Sequence, residues 1–217
     1  MTNEKKSKKD PKPTTVLFIR HGENEWTKSN KLAGRTPGVY LNDQGRKQAA
    51  ALGQRLAEAK LSVIYASPLE RTMETAQAIA QHHQLEVLPR PGLLEVDYGH
   101  GTGEEIKKLP QTKSWSQVQF YPRGAGFPGG ETMYEMQTRF VREINCIVAE
   151  HPEQTVALVG HADLIKSAVA HYLGVHLDLF QRIVISTASI TTVNFTFMGP
   201  RVVCVNDTNH NPPPPKQ

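Results

Sequence analysis

The 217-residue chain has only two cysteines, two tryptophans and no long apolar run. Cys146 and Cys204 sit in the apolar contexts "INCIVAE" and "RVVCVND". Two such thiols make no disulfide framework and fit a cytoplasmic protein with both cysteines reduced and buried. No stretch approaches the roughly 20 apolar residues that span a bilayer. The N-terminal "MTNEKKSKKDPKP" has no apolar core after its lysines, which excludes a secretory signal within it. Charge of one sign is also scarce outside that tail. Of the net +4, residues 1–13 supply five lysines against one Glu and one Asp, which leaves the rest of the chain close to neutral. A near-neutral body carries no broad field for nucleic acid, and nothing points to a membrane. The tail reads as a disordered basic segment, and residues 209–217, "NHNPPPPKQ", as a short extended Pro-rich end. Residues 14–208 remain as one domain, with no internal repeat.

What is present is an alternation of strand and helix patterns. Val16–Arg20 is an apolar run suited to a strand buried on both faces. Residues 43–60 place Ala49, Leu52 and Leu56 on one helical stripe, with Asn42 as N-cap. "LSVIYA" is a strand. "SPLERTMETAQAIAQHH" opens a helix in which Ser67 and Glu70 form a capping-box pattern and Pro68 takes the first helical position. "LEVLPR" is a short strand, and Thr102 with Glu105 suggests another capped short helix. A loop over 124–130, a long helix over 131–150, the strand "TVALVG" and a helix ended by Gly174 follow. "ASITTVNFTF" and "RVVCVND" form an antiparallel pair. This order predicts an α/β fold: a three-layer α/β/α sandwich around a mostly parallel sheet.

The chemistry gathers at strand ends. Arg20 and His21 end the first strand, Arg71 lies just inside the helix after the second, and His161 follows "TVALVG". Open α/β sheets bind ligands beyond the carboxyl ends of their strands. Two arginines and two histidines delivered there, beside helix N-termini, suit a compact polyanion such as a phosphoryl group. No His, Cys, Asp or Glu cluster has metal-ligand spacing. His82, His83, His100, His151, His171, His176 and His210 read as structural or exposed. Asp163 is explained by the helix dipole alone, and Trp115 reads as packing with a possible place in a pocket wall.

"RHGENEW" in this setting resembles the signature of the histidine phosphatase superfamily, the phosphoglycerate mutase-like fold. "LNDQGRKQAAALG", "SPLERTMETA", "LLEVDYG", "FPGGET" and "LVGHADLIKS" resemble that family's later landmarks, in order, over most of residues 15–197. The resemblance implies His21 as the nucleophile that becomes phosphohistidine. It implies Glu95 as the proton donor, and Arg20, Arg71 and His161 as holders of the phosphoryl oxygens. Asn24 and Thr27 fall at positions of phosphate contact. It implies no cofactor and no metal, and a small-molecule phosphate ester as partner. "LAGRTPGVYLNDQG" and "LDLFQRIV" resemble a bacterial branch often labelled phosphomutase or phosphoglycerate mutase. The family holds both phosphatases and mutases. The expectation is a phosphomonoesterase, with mutase activity as the alternative and a non-catalytic phospholigand-binding protein behind both. Arg35 is the residue expected to grip a distal anionic group if a mutase site exists. The segment Val96–Gly130, with Lys107, Lys108, Lys113 and Arg123 as its cations, is the candidate lid.

Overall fold

The computed structural model of the protein describes residues 11–111 and 113–211. Most of the basic tail, the end of the Pro-rich tail and the side chains of residues 109–114, Lys113 among them, lie outside that description.

Among the described residues six strands form one sheet: β1 (Thr14–Arg20), β2 (Leu61–Ala66), β3 (Val87–Pro89), β4 (Thr155–Gly160), β5 (Ile190–Thr196) and β6 (Gly199–Asp207). Their spatial order is β3-β2-β4-β1-β5-β6. The first four run parallel, and β5 and β6 add an antiparallel edge. The α-helices of the described residues are α1 (Glu25–Lys28), α2 (Asp43–Leu56), α3 (Glu70–Ala80), α4 (Lys113–Phe120), α5 (Met133–Glu150) and α6 (Ala162–Leu173). Strand alternation builds two cores. Val16, Phe18, Tyr65, Val156 and Leu158 pack with Phe140 and Ile144 of α5 and Ile165 of α6. Leu17, Ile19, Ile64, Ala157 and Val159 pack with Leu52 and Leu56 of α2 and Ile79 of α3. Because the central strands are buried on both faces, their apolar runs are continuous, and the three-layer sandwich follows.

This layering positions the site. The chain leaves β1 for α2 on one face, and leaves the adjacent β4 for α6 on the other. A crevice opens between neighbouring strands whose connections diverge in this way. Arg20 pairs in register with Gly160, and the His21 amide donates to the Gly160 carbonyl at 3.0 Å. His21 and His161 therefore leave the sheet side by side.

Several helix boundaries match local chemistry. Asn42 accepts from the Gly45 amide at 2.8 Å and starts α2. Thr132 and Glu135 make a reciprocal capping box for α5. Gly174, at φ 67°, ends α6 in a left-handed conformation that only glycine adopts without strain.

Three expectations need correction. Ser67 and Pro68 do not start α3, whose N-cap is Leu69 with no side-chain capping bond. The Ser67 amide still bonds Val159 across the sheet at 3.0 Å, so the chain is finishing β2 there and turns into the helix only afterwards. Thr102 and Glu105 do not cap a helix either. Thr102 ends a 3₁₀ turn, Glu105 bridges Lys31, and the next turn is a 3₁₀ segment, Ile106–Gln111. Finally, Cys146 and Cys204 are exposed, not buried. The buried stripe of α5 is Met136, Phe140, Ile144 and Ile147, so Cys146 falls off it, and Cys204 lies on the edge strand β6.

Candidate active site

Beyond the ends of β1 and β4 lies a cleft of about 410 Å³, lined by Arg20, His21, Asn24, Thr27, Arg71 and Glu95, among others. Its first wall is the loop after β1. Gly22 lets that loop press on the start of α2, for a Cβ there would stand 2.6 Å from the Gly45 carbonyl oxygen. The Gly22 amide is fixed to the Thr75 hydroxyl of α3 at 3.1 Å. His21 is held on both sides of β1, its amide donating to the Gly160 carbonyl at 3.0 Å and its carbonyl accepting from the Ala188 amide at 3.1 Å.

His21 is buried, and its Nδ1 lies 2.7 Å from the Gly22 carbonyl. A carbonyl only accepts, so Nδ1 carries the hydrogen and Nε2 carries the lone pair. Burial, then the charges of Arg71 and Arg20, hold the imidazole well below its usual pKa, so the ring stays neutral. A neutral imidazole with a free Nε2 is a nucleophile.

Arg71, from the first turn of α3, is among the largest fully buried side chains of the described residues. It donates to the Gly34 carbonyl at 2.7 Å. Arg20 donates to the Ile185 carbonyl at 2.7 Å. Desolvation lowers the pKa of both guanidinium groups and Glu95 pulls them back; both remain cations at neutral pH. Each keeps a buried nitrogen, Arg20 Nε and Arg71 Nη1, with no acceptor among the described residues, and so does Asn24 Nδ2. The Asn24 side-chain oxygen caps α1, accepting from the Trp26 and Thr27 amides at 2.9 Å each. Thr27 returns the bond, its hydroxyl meeting the Asn24 amide and carbonyl. Asn24 thus offers its NH2 group, while Thr27 lines the cleft with its hydroxyl committed to the cap.

Glu95 is buried as well. Its Oε1 accepts from the Val96 amide at 2.9 Å, and its Oε2 lies 3.7 Å from His161 Nδ1. Desolvation, then the Asp163 charge, raise its pKa to about 7 against the pull of the Val96 amide, Arg71 and Arg20. Near neutral pH it holds a proton that it can give up. Arg35 braces the Glu95 backbone carbonyl at 2.8 Å and pairs with Glu131, which Arg139 clamps from the other side. Arg35 is therefore spent on holding the Glu95 loop and does not stand free for a distal anion.

His161 joins the group without lining the cleft. Fully buried behind the wall, its ring centroid lies 5.3 Å from that of His21. Its Nε2 meets Ser67 Oγ at 2.9 Å and its Nδ1 meets Arg71 at 3.4 Å. Burial, Arg71 and His21 hold it well below its usual pKa. A neutral ring accepting from Arg71 at Nδ1 carries its hydrogen on Nε2, toward Ser67. Trp115 does line the cleft, and packs on Phe127 at 6.4 Å between centroids.

Two lining residues were not foreseen as functional. Tyr98 donates its hydroxyl to Asp163 at 3.0 Å, and Asp163 also takes Lys166 at 3.3 Å. Tyr98 lies three residues beyond Glu95 and Asp163 two beyond His161, a proximity to the expected residues that was the available signal.

Residues 16–208 match the profile of the histidine phosphatase superfamily (branch 1). The chain is 30% identical over 203 residues to phosphoserine phosphatase 1 of Hydrogenobacter thermophilus, covering 90% of this chain and 93% of that protein. It is also 30% identical over 183 residues to the probable phosphoglycerate mutase GpmB of Proteus mirabilis, covering 83% and 84%. Among solved structures, the phosphoserine phosphatase of Entamoeba histolytica in complex with 3-phosphoglyceric acid superposes with a TM-score of 0.84 at 25% identity, covering 91% of this chain and 98% of that one.

Proposed function

Because the chain belongs to the histidine phosphatase superfamily, we propose that it is a phosphomonoesterase acting on small phosphorylated metabolites through a phosphohistidine intermediate. The observation that carries this reading is the set of buried nitrogen donors without acceptors, on Arg20, Asn24 and Arg71, around a neutral His21 with Nε2 free. Phosphoryl oxygens supply the acceptors that such donors require, and the two guanidinium charges balance the transferring group.

In the first step His21 Nε2 attacks phosphorus and the ester P–O bond breaks. Glu95 passes its proton to the departing alkoxide, which leaves as the alcohol. In the second step water attacks the phosphohistidine and the N–P bond breaks. The Glu95 carboxylate takes the water proton and returns to its starting state, and inorganic phosphate leaves. Arg20 and Arg71 hold the equatorial oxygens, with Asn24 as a further donor, while His161 keeps Arg71 in place and Thr27 keeps Asn24 turned to the ligand. Among the described residues no group of three His, Cys, Asp or Glu side chains is placed to hold a metal ion, and the arginines supply the charge a metal would otherwise bring.

Hydrolysis is favoured over isomerisation by how the other cations are used. A mutase needs a second anion site to hold a doubly phosphorylated intermediate. Arg35 is paired with Glu131, Lys107 and Lys108 with Glu105, and Lys166 with Asp163, which leaves Lys31, among the described residues, as the cleft-lining cation outside these ion pairs, without the second cation that would hold a distal phosphate beside it. The reading carries with it a cytoplasmic setting, with no part for nucleic acid or membrane. Among the described residues no helix is long and apolar enough to cross a membrane. The test is to incubate the enzyme with a panel of phosphate monoesters, and with 3-phosphoglycerate with and without its 2,3-bisphosphate, following phosphate release and isomerisation together. Phosphate release should dominate. Isomerisation much faster than release would make it a mutase, and neither activity with tight phosphate binding would make it a binding protein.

A further inference from the structure

The cleft wall formed by the start of α6 carries a carboxylate that the two chemical steps do not use. Asp163 Oδ2 accepts from the Tyr98 hydroxyl at 3.0 Å, and Oδ1 lies 3.3 Å from Lys166 Nζ. Lys166 in turn donates to Gln181 Oε1 at 3.0 Å. This hydrogen-bonded ribbon joins four segments along one wall: the Glu95 loop, the first turn of α6, its second turn, and the 3₁₀ turn Leu177–Arg182. The Asp163 and Lys166 side chains are both largely covered, 18% and 17% exposed, so solvent screening of their charges is weak.

The helix dipole accounts for an acid at this position, but not for its fixed orientation. An acid serving only the dipole could point to water. Asp163 is instead anchored by a tyrosine three residues from Glu95, and both Asp163 and Tyr98 line the same cleft as Glu95.

We propose that Asp163, fixed by Tyr98 and Lys166, is a positioning residue for the proton donor: it places a negative charge on the wall beside Glu95 that offsets the cations around it and keeps the proton there between turnovers. This rests on the assignment of Glu95 as the proton donor.

The groups that face Glu95 decide the sign. From β1 comes Arg20 and from α3 comes Arg71, both favouring the carboxylate. From the α6 side come His161, which is held neutral, and Asp163. From its own loop come the Val96 amide, which favours the carboxylate, and Tyr98, which burial and Asp163 hold as a neutral hydroxyl. Behind the Glu95 backbone lies Arg35, whose charge is met by Glu131 and Asp97, with Arg139 on the far side of Glu131. Of the groups acting on the Glu95 carboxyl itself, Asp163 is the one negative charge. Two buried guanidinium groups suit phosphate binding but would strip a nearby carboxyl of its proton. The role of Asp163 is to let one cleft bind a dianion and keep an acid charged with its proton.

The test is the pH profile of kcat/KM for an alkyl phosphate. Its basic limb reports loss of the proton from the free enzyme's acid. Asp163→Asn keeps the shape and can still accept from Tyr98, but removes the charge, so the basic limb should move to lower pH by about one unit. Lys166→Met leaves the Asp163 charge less compensated, so the limb should move the other way. Opposite shifts from two neighbours in one ribbon are not what loss of packing produces. Tyr98→Phe should shift the limb in the same direction as Asp163→Asn, by less. Should Asp163→Asn fold poorly, the Lys166→Met and Tyr98→Phe profiles decide alone. Limbs that stay at the wild-type pH would overturn the proposal. Glu95→Gln is the separate control: if it abolishes the basic limb while Asp163→Asn leaves it in place, the donor assignment stands and the role of Asp163 falls.

Discussion

Replacing Glu95 by Gln tests the proton donor most directly. Glutamine matches the shape and can still accept from the Val96 amide, but it has no proton to transfer. The buried carboxyl holds its pKa at about 7 instead of its ordinary 4.5. At pH 7 roughly half the enzyme then carries the proton, against about 0.3% for an unperturbed carboxyl, a difference of roughly 150-fold in competent enzyme. General acid catalysis by a placed group contributes about 10²–10⁴-fold. The assay is kcat/KM from pH 5 to 9 on an alkyl phosphate and on p-nitrophenyl phosphate. For the alkyl ester the wild type should lose about tenfold per pH unit above the pKa of Glu95. Glu95→Gln should lose about 10²–10⁴-fold at pH 7, and its profile should be flat there. For p-nitrophenyl phosphate, whose leaving group departs without a proton, the loss should stay within about tenfold. Equal losses on both substrates would refute the reasoning and leave Glu95 a structural or water-positioning group. Stability supplies a second readout. A carboxyl whose folded pKa is raised favours folding least once it must ionise, so stability is lost as pH rises from about 4.5 through about 7. Glu95→Gln removes that loss, on the order of 3 kcal/mol. The variant should therefore gain thermal stability over the wild type at pH 8 but not at pH 4.

Substrate carrying labelled phosphate, quenched in alkali, should leave its label on His21, because phosphohistidine survives base and is lost in acid; label on His161 or on a serine would contradict the assignment, and His21→Ala should abolish turnover while melting normally. Exhaustive chelation should leave the rate within about twofold, since the charge at the phosphoryl site comes from Arg20 and Arg71; collapse followed by recovery on adding a divalent ion would count against it. Gly22→Ala would set a Cβ 2.6 Å from the Gly45 carbonyl, which costs about 1–3 kcal/mol of stability and displaces His21; a variant with unchanged melting temperature and activity would show that the close approach is not required.

Much of the molecule is legible in its sequence. Apolar runs such as Val16–Ile19 determine strands buried on both faces, and the alternation of strands with helices determines the layers, because both are local patterns that the chain can satisfy only one way. The placing of Arg20, His21, Arg71 and His161 at strand and helix ends was enough to predict that they converge, since every parallel strand delivers its carboxyl end to the same edge of the sheet. What sequence could not decide was how each polar group is spent. Ser67 has the pattern of a helix cap yet meets His161, because β4 lies beside β2 and carries its own end to the same place. Arg35 is a free cation in the sequence and a brace for Glu95 in the fold, because Glu131, 96 residues away, returns on the segment before α5. Cys146 is apolar in context and exposed in fact, since its neighbours, not it, fall on the buried stripe. Asp163 reads as a dipole partner until Tyr98, 65 residues earlier, is brought against it. Periodicity is encoded over a few residues, but the partner of a charge or hydroxyl is set by contacts far apart in the chain, and only the tertiary structure decides those.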